Sequence, residues 1–506
     1  MVTVQPQACP YPTADRIQAV RKYIKKTWQT LRRTHSHILE AAQDIKVEHT
    51  PGRWVVYVPV REDLGQIEKA LQAAMPVEEF DQIQLEVLPV RISQVKEHGL
   101  LYLPGDYVVP GGRFNEMYGW DSYFIQLGLL RDGEYALAQS LVDQLLYQVK
   151  HYGTVLNANR TYFFNRSQPP FLSRMVLEMY GHTRDRDWLQ ATVAPLRSYY
   201  YYWLVPPHFN QETGLSRYYS EGEGPAPEVL YSERDEAGRT HFDRVRDYYR
   251  RVPVDDYDVS LFYNRTQDRL TDLFYKGDRS MRESGLDPTN RFGPFSVDII
   301  SYAPVCLNVL LYQMELDMAE IDDILGHPSS VSVWRKSAEQ RRKLIDQYLW
   351  DEASGLYLDY NFGTGQRRPY EFATTFYPLW AGLASPQQAQ RLVENLPRFE
   401  AAGGIRTSNN VSGSQWDAPF GWAPLQLMAA QGLRRYGYRA EADRIAHRFL
   451  ALAIGEYDRC GCLLEKYNIE HCTGEVSAEI QFGYSTNEIG FGWTNGVVLE
   501  LLALLD

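Results

Sequence analysis

Apolar positions in this chain recur mostly at helical spacing. Side chains three and four apart mark segments near 121–132, 134–150, 169–181, 187–203, 297–317, 332–349, 373–383, 386–395, 421–436, 440–454 and 491–505. That interval lines one stripe of a helix along a core. Loops rich in Gly, Asn, Asp and Pro separate the segments and supply the stops that helices need. No strict repeat is visible, which argues against a solenoid of near-identical units. Roughly one helix per 33 residues fits paired helices arranged in a ring.

The first 95 residues follow a different pattern. Ile17, Val20, Ile24, Trp28 and Leu31 predict an amphipathic helix within 16–42. Residues 54–60 then predict a strand, 64–74 a short helix and 83–92 a second strand. The expected organisation is a small α+β lobe over 1–95 followed by a helical unit over 96–506. Within that unit, residues 205–296 are polar and too long for a passive connection, so they are expected to serve function.

Composition narrows the function. The chain has 506 residues, 44% hydrophobic and 23% charged, as in ordinary globular proteins. A net charge of −12 argues against nucleic acid and anionic membranes as partners. No run approaches the ~18 apolar residues of a membrane span, and the N-terminus lacks a basic segment followed by an apolar one. The expectation is a cytoplasmic protein, or one whose export signal has been removed. Five cysteines, Cys9, Cys306, Cys460, Cys462 and Cys472, are too few for a disulfide framework. Cys460-Gly-Cys462 with His471-Cys472 lacks the second C-x₂-C pair of a structural zinc site, so ordinary thiols and no metal are expected.

The densest chemistry lies in residues 110–124, PGGRFNEMYGWDSYF. Arg113, Glu116, Trp120 and Asp121 combine a charged fork, two acceptors and a flat apolar face. Sugars are held by such mixtures, with charge-assisted hydrogen bonds to hydroxyls and an aromatic platform under the C–H faces. The alternative is a loop that tucks aromatics into the core. Five further segments repeat the theme. They surround Asn157, Arg166, Ser167 and Gln168; Gly285 and Asp287; Gln415, Trp416, Asp417 and Trp422; Glu465; and Trp493. If the helices form a ring, their connecting loops converge on one pocket. Glycoside hydrolysis needs two carboxyl groups, and Asp121, Asp287, Asp417 and Glu465 all qualify on composition. Spacing alone does not say which two work.

These motifs, in this order, resemble the trehalase family of inverting glycoside hydrolases (glycoside hydrolase family 37). The first signature matches PGGRF-x-E-x-Y-x-W-D-x-Y without a gap, and Gln415-Trp-Asp-Ala-Pro-x-x-Trp422 resembles the second. Arg166-Ser-Gln-Pro-Pro170, Glu283-Ser-Gly-x-Asp287, Glu465-Lys-Tyr467 and Gly490-Phe-Gly-Trp-Thr-Asn-Gly496 follow in order. The resemblance covers about four-fifths of the chain, from about residue 100 onward. It implies a mainly α fold, an (α/α)6 toroid behind the small lobe, and no cofactor. It implies Asp287 as general acid and Glu465 as general base acting through water. Arg113, Trp120, Asp121, Asn157, Arg166, Ser167, Gln168, Glu228, Gly285, Gln415, Trp416, Asp417, Trp422 and Trp493 are the expected substrate contacts.

The chain departs from the family at Ala226, where arginine is usual, at Leu286 for tryptophan and at Phe420 for asparagine. These changes are expected to bear on the leaving-group side of the site. The expected activity is hydrolysis of α,α-trehalose to two glucose. The alternatives are the same mechanism on another α-glucoside (glucosylglycerate, glucosylglycerol or a different disaccharide), phosphorolysis, or sugar binding without catalysis.

Overall fold

A computed structural model describes residues 10–232, 234–235 and 237–506. Cys9 and the first nine residues of the expected lobe lie outside the described residues.

Six helical layers form a closed inner ring. They are α3 (Asp121–Arg131), α5 (Leu172–Thr183), α8 (Val305–Leu325), a short turn of helix over Ala373–Phe376 and Tyr377–Trp380, α11 (Ala423–Arg435) and α13 (Gly492–Leu505). Each packs on the next, and α13 returns to α3. Their sequences are apolar nearly all round, and α3 is buried from Asp121 to Leu130. A helix with no polar face must be covered on every side. Five of the covering helices follow their inner partners directly: α4 (Tyr135–Tyr152), α6 (Arg186–Leu204), α9 (Pro328–Tyr348), α10 (Pro386–Asn395) and α12 (Arg439–Cys460).

The sixth comes from the other end of the chain. Helix α1 (Ala14–Leu31) packs on α12 and α13. Its Val20, Ile24, Trp28 and Leu31 belong to the main core of the ring, not to the core of the small lobe. Trp28 lies where α3 and α13 cross at two glycines. A Cβ on Gly128 would meet the Gly496 Cα at 2.7 Å and the Trp28 ring at 2.8 Å. The expected boundary at 95/96 groups α1 with the lobe; in the structure its apolar face packs against α12 and α13, as the outer helix beside the sixth inner one.

The lobe itself is inserted after α1. Three parallel strands run in the order β2 (Ile83–Val87), β1 (Trp54–Val58), β3 (Leu100–Leu101). Helix α2 (Leu64–Ala74), capped by Asp63, covers one face with Ile67 and Leu71. Proline explains where elements stop short of their predicted ends. Pro59 follows β1, and Pro304 divides the segment expected as one helix over 297–317 into a 3₁₀ stretch Pro294–Ser301 and α8. The polar stretch 205–296 contains helices His241–Arg251 and α7 (Asp272–Glu283) around a satellite core that includes Phe242, Tyr249, Phe274 and Phe295. Among the described residues, no helix is long and apolar enough to cross a membrane.

Candidate active site

Four of the inner helices present their N-terminal ends to one shared cavity. Asp121 is the first residue of α3, residues 166–168 lead into α5, Trp422 precedes α11, and Trp493 opens α13. Helix N-termini carry partial positive charge and suit oxygen ligands.

Of the sixteen residues expected at the site, fourteen line this cavity. Asp287 and Glu465 are there, with Arg113, Trp120, Asp121, Asn157, Arg166, Gln168, Glu228, Gly285, Gln415, Trp416, Trp422 and Trp493. Four indoles build one wall. Trp416 and Trp422 stack at 3.9 Å and 1°, and Trp493 meets Trp120 edge-on at 5.5 Å. Gly285 lies against Trp120 with φ +69°, and a Cβ there would come within 3.0 Å of the indole. Glycine serves both needs at this position.

Glu465 is almost fully buried. Lys466 Nζ lies 3.0 Å from its Oε2, and the Tyr484 hydroxyl donates to its Oε1. Its main chain is fixed by Trp493 Nε1, which donates to its carbonyl at 3.1 Å, and by its own N–H, which donates to Glu488 O at 2.9 Å. Burial pushes the Glu465 carboxyl above the usual glutamate range, while Lys466 and Tyr484 pull it back. Burial likewise holds Lys466 below the usual lysine range, against the pull of Glu465.

Asp287 is more open, with its side chain 28% exposed and 3.3 Å from Arg282 Nη1. Its backbone is held by Gln415 Nε2, which donates to the Asp287 carbonyl at 2.6 Å. Asp121 lies within the field of both. Burial raises its carboxyl well above the usual range, and Glu465 and then Asp287 add to the rise. Glu228 behaves oppositely: burial raises it, but Arg166 and Arg282 outweigh that and leave it low.

Some buried polar atoms in this region have no hydrogen-bond partner among the described residues. Arg166 donates to Glu228 through Nη2, yet among the described residues its Nε and Nη1 meet no hydrogen-bond partner, and neither does Gln415 Oε1. Buried guanidinium donors without acceptors are costly unless a ligand supplies them.

Two expected contacts, Ser167 and Asp417, are not in the lining. Ser167 faces the scaffold: its Oγ donates to Val155 O at 2.6 Å and its N–H to Glu283 Oε1 at 2.8 Å. Asp417 is a buried hub behind the wall. It accepts from Thr289 Oγ1 at 3.0 Å, Asn290 N at 2.9 Å, Tyr370 Oη at 2.8 Å, Ser408 Oγ at 2.8 Å and Ser412 Oγ at 2.5 Å. It thereby ties the loop after Asp287 to the loop before Trp416. A motif shows neighbours in sequence but not which way each side chain turns.

The structure also adds lining residues that sequence reasoning missed. Tyr484 comes from the segment before Gly490, and Arg282 lies one residue before the Glu283 of its motif. Lys46 comes from the small lobe; its Nζ is 2.7 Å from Glu116 Oε1 and donates to Arg113 O at 3.2 Å. No local signal marks Lys46, because its role depends on a partner 70 residues away. Ala226, Leu286 and Phe420 do not line the cavity. Ala226 packs with Val229 and Phe242, Leu286 with the main core, and Phe420 pairs with Asn468 on a short ladder.

A six-hairpin toroid with two carboxylates in an aromatic cavity at its helix N-termini is the layout of an (α/α)6 glycoside hydrolase. The trehalase family model matches residues 12–506, and the chain belongs to that family. It is 39% identical over 434 residues to a cytosolic neutral trehalase of Kluyveromyces lactis, covering 78% of this chain and 55% of that protein. It is 36% identical over 530 residues to the cytosolic neutral trehalase of Saccharomyces cerevisiae, covering 92% and 69%. The chain thus spans little more than half of some of these relatives. The structure is similar to that of neutral trehalase Nth1 from Saccharomyces cerevisiae, with TM-score 0.80 and 32% identity over 97% of this chain and 94% of that one. The fold alone extends to a GH63 mannosylglycerate hydrolase from Thermus thermophilus, with TM-score 0.53 and 19% identity over 78% of this chain and 95% of that one.

Proposed function

We propose that this protein hydrolyses α,α-trehalose to two glucose with inversion at the attacked carbon. Asp287 protonates the bridging oxygen as the bond to C1 breaks. Glu465 takes a proton from a water that attacks C1 from the opposite face. The attacked ring leaves as β-glucose, and the departing ring keeps its α configuration. Arg113, Asn157, Arg166, Gln168 and Glu228 hold hydroxyls, and the indoles of Trp120, Trp416 and Trp493 cover the ring faces.

The observation that carries this reading is that Asp287 and Glu465, 178 positions apart in sequence, line one cavity and both act on the buried Asp121 between them in charge. The names of the relatives support trehalose as substrate and the cytosol as location.

A panel of trehalose, glucosylglycerol, glucosylglycerate and maltose tests the assignment. Trehalose is expected to rank first by kcat/KM, with turnover independent of added phosphate. A better substrate elsewhere in the panel, or a requirement for phosphate, contradicts it.

A further inference from the structure

One sequence motif remains outside the site chemistry. Cys460 is the last residue of α12, and Cys462 begins the run that leads to Glu465. Gly461 between them caps the helix in the left-handed region with φ +74°, its N–H donating to Tyr457 O at 2.7 Å. This turn folds the two side chains back on each other, and their sulfurs lie 3.4 Å apart. Cys460 is exposed, while Cys462 is half-buried against the main core.

We propose that Cys460 and Cys462 form a reversible dithiol–disulfide site that acts on the position of Glu465. A hydroperoxide is the oxidant. The Cys460 sulfur attacks one peroxide oxygen; an S–O bond forms, the O–O bond breaks, and the alcohol or water leaves with a proton. The Cys462 sulfur then attacks the Cys460 sulfur, forming S–S and expelling the hydroxyl, which leaves as water with the Cys462 proton. Two thiols lose two electrons and the peroxide gains them. Exposure makes Cys460 the sulfur that meets the oxidant. Burial, then the Cys460 sulfur beside it, pushes the Cys462 thiol up to about 12, so it keeps its proton until the second step.

The bond has a short path to the site. Drawing the sulfurs together from 3.4 Å pulls on Cys462, whose next residue is pinned. Leu463 O accepts from Gly490 N at 2.7 Å, and Leu463 N donates to the Tyr23 hydroxyl of α1 at 3.3 Å. Leu464 O accepts from Thr494 Oγ1 at 2.7 Å, and Glu465 follows. A segment fixed at both flanks passes a pull at one end to the next residue, and a base moved by a fraction of an ångström works less well.

The effect on turnover rests on Glu465 being the base, so the test has readouts that do not need turnover. The whole protein is treated with hydrogen peroxide, alkylated, digested and weighed, with dithiothreitol-treated protein as reference. The expected product is a peptide two hydrogens lighter holding both Cys460 and Cys462. Amide exchange across 463–468 should change with it, and kcat on trehalose should fall at least threefold and recover with dithiothreitol. Cys460→Ser should keep basal kcat and lose all three responses. Alkylatable Cys460 and Cys462 after oxidation, a bond to Cys472 instead, or a disulfide that leaves amide exchange unchanged overturns the proposal. A protein that forms the bond and changes exchange but never cleaves trehalose contradicts the proposed function alone.

Discussion

At the scale of single residues, the two carboxyl groups differ in environment. Glu465 is buried beside a lysine and a tyrosine, whereas Asp287 is partly open beside Arg282. Asp287→Asn and Glu465→Gln are each expected to lower kcat on trehalose by at least ~10²–10⁴-fold with unchanged thermal unfolding. Lys466 keeps Glu465 from rising further. Because burial lifts the Glu465 carboxyl, the proposed base loses its charge as pH falls through a value above the usual glutamate range, and the acid limb of kcat/KM should lie there. Lys466→Met removes the cation that opposes the rise. Its pH–rate profile should therefore shift the acid limb to higher pH; a limb that stays in place contradicts the pairing. The sequence showed these residue types together but not their partners. Tyr484 lies in a segment that carries no expected contact, and the Asp417 carboxylate is taken up by five donors behind the wall.

At the scale of elements, helices were legible and their partners less so. Apolar periodicity located the inner and outer helices because burial on nearly all sides writes a dense signal. It missed α7 and the helix His241–Arg251, whose faces are mostly charged and whose starts rest on the caps Thr271 and Thr240. The sixth hairpin could not be read from order along the chain, since its halves lie at opposite ends. Its contact is tight enough to test. A Cβ on Gly496 would meet Phe124 O at 1.9 Å, so Gly496→Ala must separate α3 from α13. It should cost about 1–3 kcal/mol by overpacking. Trp28→Ala should cost about 3–5 kcal/mol by leaving a cavity over the same crossing. Urea unfolding of the whole chain measures both, and a neutral Trp28→Ala variant would show that α1 is not part of the ring's core.

At the scale of the molecule, the small lobe is joined to the site by buried charge. Asp44, Lys46, Glu116 and Arg160 are all buried, with Arg160 Nε 3.0 Å from Glu116 Oε1 and Lys46 Nζ 2.7 Å from the same oxygen. Tyr162 Oη donates to Asp44 at 2.7 Å. Burial works to raise the Asp44 carboxyl, but Arg160 and Lys46 outweigh it and bring it from 3.8 to about 2. A lowered folded-state pKa stabilises above the unfolded value and is lost as pH falls through the folded one. About 2 kcal/mol should therefore disappear between about pH 4 and pH 2, and Asp44→Asn should flatten that part of the stability curve. Broken pairing at Lys46 should reach the substrate as well, because Lys46 holds the carbonyl of Arg113. Lys46→Met should raise KM for trehalose more than it lowers kcat. The measurement closest to the central claim is anomer-resolved proton NMR in the first minutes of trehalose hydrolysis. Inversion at one carbon predicts α- and β-glucose appearing in equal amounts before mutarotation. Release of α-glucose alone, or no release, contradicts the account.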